Sequence, residues 1–152
     1  MATAHDIAAY ILKRRGEMSA MKLEKLLYYS QAWTLVWLEH PLFPEKIEAW
    51  ANGPVVRKIY ALHRKEFSVS TWPSGDAESL DSGERRSVDS VLSFYGDRSA
   101  QYLSDLTHME DPWKRARAEA GAGSGVQCQA EITCASMAEY YGGLLRATGS
   151  GS

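Results

Sequence analysis

Ser19-Ala20-Met21-Lys22-Leu23-Glu24-Lys25-Leu26-Leu27-Tyr28-Tyr29-Ser30-Gln31-Ala32-Trp33-Thr34-Leu35-Val36-Trp37-Leu38-Glu39 reads as one long helix. Ser19 is a suitable N-cap, because its hydroxyl can accept from a free backbone N–H of the first turn. Leu23, Leu26, Leu27, Ser30, Trp33, Thr34 and Trp37 fall on one side. Tyr28, Ala32, Leu35 and Val36 carry apolar surface round the other, and only Lys22, Glu24, Lys25, Gln31 and Glu39 interrupt it. A helix apolar nearly all round is one surrounded by protein. The segment is therefore expected at the centre of a mainly α fold, a compact helical domain with one small β-hairpin or short strand pair.

Upstream, Thr3 and Asp6 form a capping-box pattern, and Ile7, Tyr10 and Ile11 share the face of a helix that stops near Gly16. Downstream, His40-Pro41 breaks the chain, and Ile47-Glu48-Ala49-Trp50-Ala51 has the length and alternation of a strand. Asn52-Gly53-Pro54 reads as a turn, with Pro54 in the first turn of a helix carrying Val55, Val56, Ile59, Tyr60 and His63. Phe67-Ser68-Val69-Ser70 is the expected strand partner of Ile47–Ala51. A surface loop then leads to a helix capped by Asp81 and Glu84 and ended by Gly96. Ser99 caps a shorter helix, Asp111-Pro112 opens another with Asp111 as cap, and a final helix follows Thr133. Residues 1–146 read as a single domain and 147–152 as a flexible tail.

The chain has 152 residues, 17 basic and 19 acidic side chains and a formal charge of -2. That length suits one domain with a proper core. No run approaches the roughly 18 consecutive apolar residues of a membrane span, and Met1–Tyr10 has no basic region ahead of an apolar one. Two cysteines, Cys128 and Cys134, cannot build a disulfide framework, so a cytoplasmic setting is expected. The slightly acidic balance weakens any case for non-specific phosphate binding. What stands out is aromatic content: five Trp, eight Tyr and three Phe.

No group of residues announces chemistry. His5, His40, His63 and His108 are scattered, and neither cysteine has a histidine near it in sequence, so no metal and no cofactor is expected. Gly121-Ala122-Gly123-Ser124-Gly125 lacks the Lys-Ser/Thr of a phosphate-binding loop and reads as a linker. The basic clusters Lys13-Arg14-Arg15, Arg57-Lys58, Arg64-Lys65, Arg85-Arg86 and Lys114-Arg115-Arg117 are spread over five helices and read as solvated faces. Nothing supports catalysis, and the chain is not expected to be an enzyme.

Four aromatic blocks remain: Lys22 to Trp33, Pro41-Leu42-Phe43, Ile47 to Val56, and Leu106-Thr107-His108-Met109-Glu110-Asp111-Pro112-Trp113. Trp33, Trp37 and Tyr95 lie on helical apolar faces and belong to folding. Trp50 and Trp113 sit beside Gly-Pro and Asp-Pro punctuation, and Trp50, Asn52 and His108 stand at element ends, where side chains can reach solvent. In order and separation these blocks resemble the Panacea-domain family, an antitoxin domain also described as SocA-like or GepA-like and often phage-associated. The resemblance runs from about Ile7 to Leu145. Its motif positions include Lys22, Leu26, Trp33, Gly53, Pro54, Pro112 and Trp113, which are expected to be structural. Asn52 stands where an aromatic often precedes the Gly-Pro.

The resemblance implies an antitoxin of a toxin–antitoxin system that neutralises a cognate protein toxin, encoded by a neighbouring gene, by direct protein–protein binding. Delivery of the toxin to a protease and DNA-binding regulation are the alternatives, and self-association is left open. The ends of the motif blocks are expected to form the toxin-binding face: Trp50, Asn52, Arg57, His108 and Glu110, with Tyr28 and Gln31 supporting from the central helix.

Overall fold

The computed structural model describes residues 1–148. The first helix, α1 (Ala4–Arg15), begins at a full capping box: Asp6 N–H donates to Thr3 Oγ1, and Thr3 N–H donates back to Asp6 Oδ2. It ends where Gly16 turns to φ 78°, a conformation that glycine adopts without strain. A two-residue strand, β1 (Met18–Ser19), leads into α2 (Ala20–Trp37), capped by the Ser19 hydroxyl at Lys22 N–H.

Helix α2 is the axis of the molecule. Leu23, Leu26, Leu27, Tyr28, Tyr29 and Ala32 are buried, and so are Glu24, Lys25, Ser30, Gln31 and Thr34. The helix pattern thus located the centre, but three of the residues read as interruptions lie inside with the leucines. Around α2 pack α4 (Ser82–Tyr95), α5 (Ala100–His108) and α7 (Cys134–Thr148). The remaining α-helices among the described residues are α3 (Arg57–His63) and α6 (Asp111–Glu119), and a single 3-10 turn spans Ala77–Ser79. Asp81 with Glu84, Ser99 and Thr133 each accept the cap hydrogen bond expected of them.

Strand pairing departs from the reading of the sequence. β2 (Ile47–Trp50) turns back on β3 (Gly53–Val56), with Ile47 opposite Val56 and Trp50 opposite Gly53. Pro54 therefore lies in a strand and not in the first turn of a helix; α3 starts at Arg57, with no side-chain cap. A proline is admissible there because β3 is an edge strand, in the order β3-β2-β5. The third strand, β5 (Glu131–Ile132), lies antiparallel to β2. β4 (Ser68–Val69) pairs with β1 instead of β2.

Two further corrections are local. Asp111 is the first residue of α6 and Glu110 its cap position, with no side-chain cap bond, while Pro112 sits in the first turn where its missing N–H is harmless. Trp37, expected in the core, is 41% exposed at the last turn of α2. Of the expected tail, residues 147 and 148 belong to α7, and 149–152 lie outside the described residues. No helix among the described residues is long and apolar enough to cross a membrane.

Candidate functional site: a groove beside the central helix

A groove of about 810 Å³ opens between the start of α2, the β2–β3 turn, α3 and α5. Its floor comes from the fold-deciding helix. Glu24 and Lys25, consecutive and both buried, reach sideways to the edge strand β3. Glu24 Oε1 accepts from Val56 N–H at 2.8 Å, and its Oε2 lies 2.7 Å from His63 Nε2. Lys25 Nζ donates to the Pro54 carbonyl at 3.0 Å. Burial lowers the Lys25 pKa to about 8, against the opposing pull of Glu24. An edge strand packed against a helix has backbone groups that water cannot reach, and these two side chains satisfy them.

The walls are aromatic. Trp50 meets Tyr60 edge-on with ring centroids 4.7 Å apart, and Tyr60 meets His63 the same way at 5.4 Å. Trp50 Nε1 donates to Glu48 Oε1 at 2.8 Å, and Arg57 Nη2 donates to the same oxygen at 3.1 Å. Trp50 and Arg57, seven positions apart, are thereby braced through one carboxylate. At the rim Phe67 is 88% exposed and Met21 40%.

The far wall is built by α5, through Ala100, Gln101, Ser104 and His108, with the fourth block behind it. His108 stacks on Trp113 with centroids 4.0 Å apart and planes 10° from parallel. Trp113 Nε1 donates to the Trp50 carbonyl at 2.8 Å, and Ser104 Oγ donates to the Asn52 carbonyl at 2.6 Å. Arg117, grouped by sequence with solvated basic residues, is in fact buried. It donates to the Ala49 carbonyl at 2.9 Å, to the Gly123 carbonyl at 2.8 Å and to the Val126 carbonyl, and lies over the Trp113 ring. The glycine-rich stretch is thus tied to β2 through one guanidinium.

Of the residues expected on a contact face, Trp50, Asn52 and His108 line this groove, and Arg57 is exposed beside it. Tyr28, Gln31 and Glu110 are buried and present no surface to a partner. Gln31 is an internal fastener: its Nε2 donates to the Phe43 carbonyl, and its Oε1 accepts from Leu42 and Phe43 N–H. Glu110 Oε1 accepts from the Tyr29 hydroxyl at 2.7 Å and the Tyr141 hydroxyl at 2.8 Å, while Tyr28 and Tyr141 share a hydrogen bond at 3.0 Å. Burial raises the Glu110 pKa, and the two phenol donors work against that shift.

The positions expected to be structural are placed as follows. Leu26, Gly53 and Pro112 are buried, as is Pro54, whose carbonyl binds Lys25. Trp33 donates to the Tyr95 hydroxyl at 2.9 Å, Lys22 lies half-buried at the start of α2, and Trp113 is the prop just described. Missed by sequence reasoning were Glu24, Lys25, Tyr60, His63 and Arg117. The one signal available was polar residues inside an otherwise apolar helix, and periodicity alone cannot say which of them turn inward.

Around the groove the motif blocks interlock: α2 holds β3, the fourth block holds β2, and the turn between the strands lines the groove. Residues 23–114, more than half of the chain, match the family model described as antitoxin SocA-like, Panacea domain, and the chain belongs to that family. The matched span begins at α2 and ends just past Trp113, so it contains every interlock except those of Arg117 and Tyr141. No curated protein and no solved structure matches the chain.

Proposed function

We propose that this chain neutralises a protein toxin by binding it directly and in stoichiometric amount, with no chemical step, and that the toxin docks across the groove beside α2. The observation that carries this reading is the combination at the groove mouth of exposed Phe67 and Met21 with half-buried Trp50 and Tyr60. Arg57 and Arg64 flank them on the surface. Aromatic and arginine side chains around a partly desolvated cleft are the composition of binding hot spots. The family supplies the partner class, since its domain is an antitoxin. The toxin is the product of a neighbouring gene, and both act in the cytoplasm.

The test is co-expression with that neighbouring product, followed by pull-down and a growth assay. Wild type is expected to co-purify with the toxin in equimolar amount and to restore growth. Trp50→Ala combined with Arg57→Ala is expected to release toxicity while keeping the helical circular dichroism spectrum. Full neutralisation by that folded double variant would sink the assignment of this face. Protease-dependent loss of the toxin, without a stable complex, would favour an adaptor.

A further inference from the structure

The outer edge of β3 is closed by side chains, since Glu24 takes the Val56 N–H and Lys25 takes the Pro54 carbonyl. The outer edge of β4 is open. Met18 faces Val69 and Ser19 faces Ser68, and the next pair in that register is bonded through Ala20 N–H and the Phe67 carbonyl. Successive residues of an antiparallel strand direct their backbone groups alternately to its two sides. Phe67 and Val69 therefore direct theirs at β1, and Ser68 and Ser70 direct theirs away from it. No group among the described residues bonds the N–H or the carbonyl of Ser68 or Ser70.

A second trough, of about 420 Å³, runs along that edge. Ser68, Val69, Ser70 and Thr71 line it in unbroken succession, with Leu62 and Glu66 beside them and neither residue of β1. A pleated strand offers alternate residues on a face, and consecutive ones only along its edge. Leu62, 53% exposed, makes one side of the trough apolar. Glu66 lines both this trough and the groove beside α2, and Phe67 stands next to it at the groove rim. The two cavities are thus continuous along the chain. Open edges are ordinarily guarded by a charge, a proline or a covering segment. Ser68-Val69-Ser70-Thr71 has neither charge nor proline. The ladder is two residues long because β1 gives way to α2 at Ala20, and the unbonded edge continues past it to Ser70.

Unmet N–H and carbonyl groups at a two-residue repeat are matched by another extended backbone, which presents acceptors and donors at the same spacing. We infer that a segment of the toxin adds to β4 as a further strand, its main chain paired with Ser68 and Ser70, while the rest of the toxin occupies the groove. The inference rests on the reading that the toxin docks at the groove, and extends it to the form of the contact. Main-chain bonds hold the segment, and a side chain of it meets Leu62. No proline stands where the segment donates.

Ser70→Pro tests the pairing, because the Ser70 N–H points away from β1 and its loss leaves the β1–β4 ladder intact. Folded Ser70→Pro is expected to bind the neighbouring gene's product about tenfold more weakly than wild type, and Ser70→Ala within about twofold. Equal binding by folded Ser70→Pro and wild type would overturn the added strand. Amide hydrogen exchange followed by NMR reads the same contact in the wild-type chain, and so stands even where Ser70→Pro does not fold. The Ser68 and Ser70 amides should exchange rapidly in the free chain and at least roughly tenfold more slowly in the complex. Exchange as fast in the complex as in the free chain would also overturn the inference. Full binding by Ser70→Pro, together with loss in Trp50→Ala plus Arg57→Ala, removes the strand and keeps the groove. The converse keeps the strand and removes the groove, and absence of any wild-type complex overturns both.

Discussion

Glu24 and Lys25 are neighbours in the chain, and burying both is the largest electrostatic commitment that α2 makes. Each is kept in place by backbone atoms of β3, and Glu24 also by His63. Glu24→Ala leaves Val56 N–H and the His63 ring without their acceptor, and should cost about 2–4 kcal/mol of stability in urea denaturation. Glu24→Gln, which keeps an acceptor for Val56, should cost less. Lys25 makes a prediction in pH. Its folded pKa of about 8 lies below the ordinary 10.5, so from about pH 8 to 9.5 the unfolded chain retains a proton that the folded chain has shed. Stability from this group therefore rises with pH across that window, by roughly 1–2 kcal/mol. Comparing Lys25→Met with wild type cancels every other titrating group, and the difference between their unfolding free energies should change by that amount. A constant difference would contradict the burial of a charged Lys25.

At the scale of the element, the β2–β3 hairpin is the least self-sufficient part of the fold. Four-residue strands are marginal alone, and this pair is held from one side by α2 and from the other by Trp113, Ser104 and Arg117. Gly53 marks how closely the helix approaches. Its φ of 123° belongs to glycine, and an added Cβ would stand 2.7 Å from Lys25 Cε and 3.3 Å from Thr107 Oγ1. Gly53→Ala should therefore lose about 2–3 kcal/mol. In thermal unfolding that is a drop in Tm of roughly 4–10 °C. If the toxin docks in the groove, which Trp50, Ala51 and Asn52 line beside Gly53, the same variant should weaken toxin binding more than its stability loss would suggest.

Viewed whole, the described residues expose aromatic surface at the groove mouth, at Tyr102 on α5, and in a second patch around Trp37 and Phe94, which are joined through Trp33 and Tyr95 by stacked and edge-on rings and a hydrogen bond. If the groove is where the toxin docks, Trp37→Ser together with Phe94→Ser should neutralise toxin as wild type does, and release of toxicity by that folded variant would move the interface to the second patch. Binding at the groove should also stabilise the fold as a unit. Toxin at about 100 times its Kd adds roughly 2.7 kcal/mol, seen as a higher Tm of the antitoxin in differential scanning.

The sequence alone determined the central helix, the helix caps at Thr3, Ser19, Asp81, Ser99 and Thr133, and the family to which the motif blocks belong. These are local matters: apolar repeat, cap chemistry and short motifs are complete within a few residues. Of the residues expected on a contact face, Trp50, Asn52 and His108 line the groove and Arg57 is exposed beside it, because they stand at element ends, where the chain turns outward. Tyr28, Gln31 and Glu110 were misread because a polar residue amid apolar ones looks the same in sequence whether water or a buried partner satisfies it. Their partners, Tyr141, Phe43 and Tyr29, lie 113, 12 and 81 residues away. The same distance in sequence hid the strand order, in which Pro54 is admissible because β3 became an edge. It also hid the groove, whose floor, walls and rim come from segments that meet only when Glu24 and Lys25 close α2 onto the hairpin. Burial and hydrogen bonding between remote groups are properties of the packed chain, and the tertiary structure alone decided them.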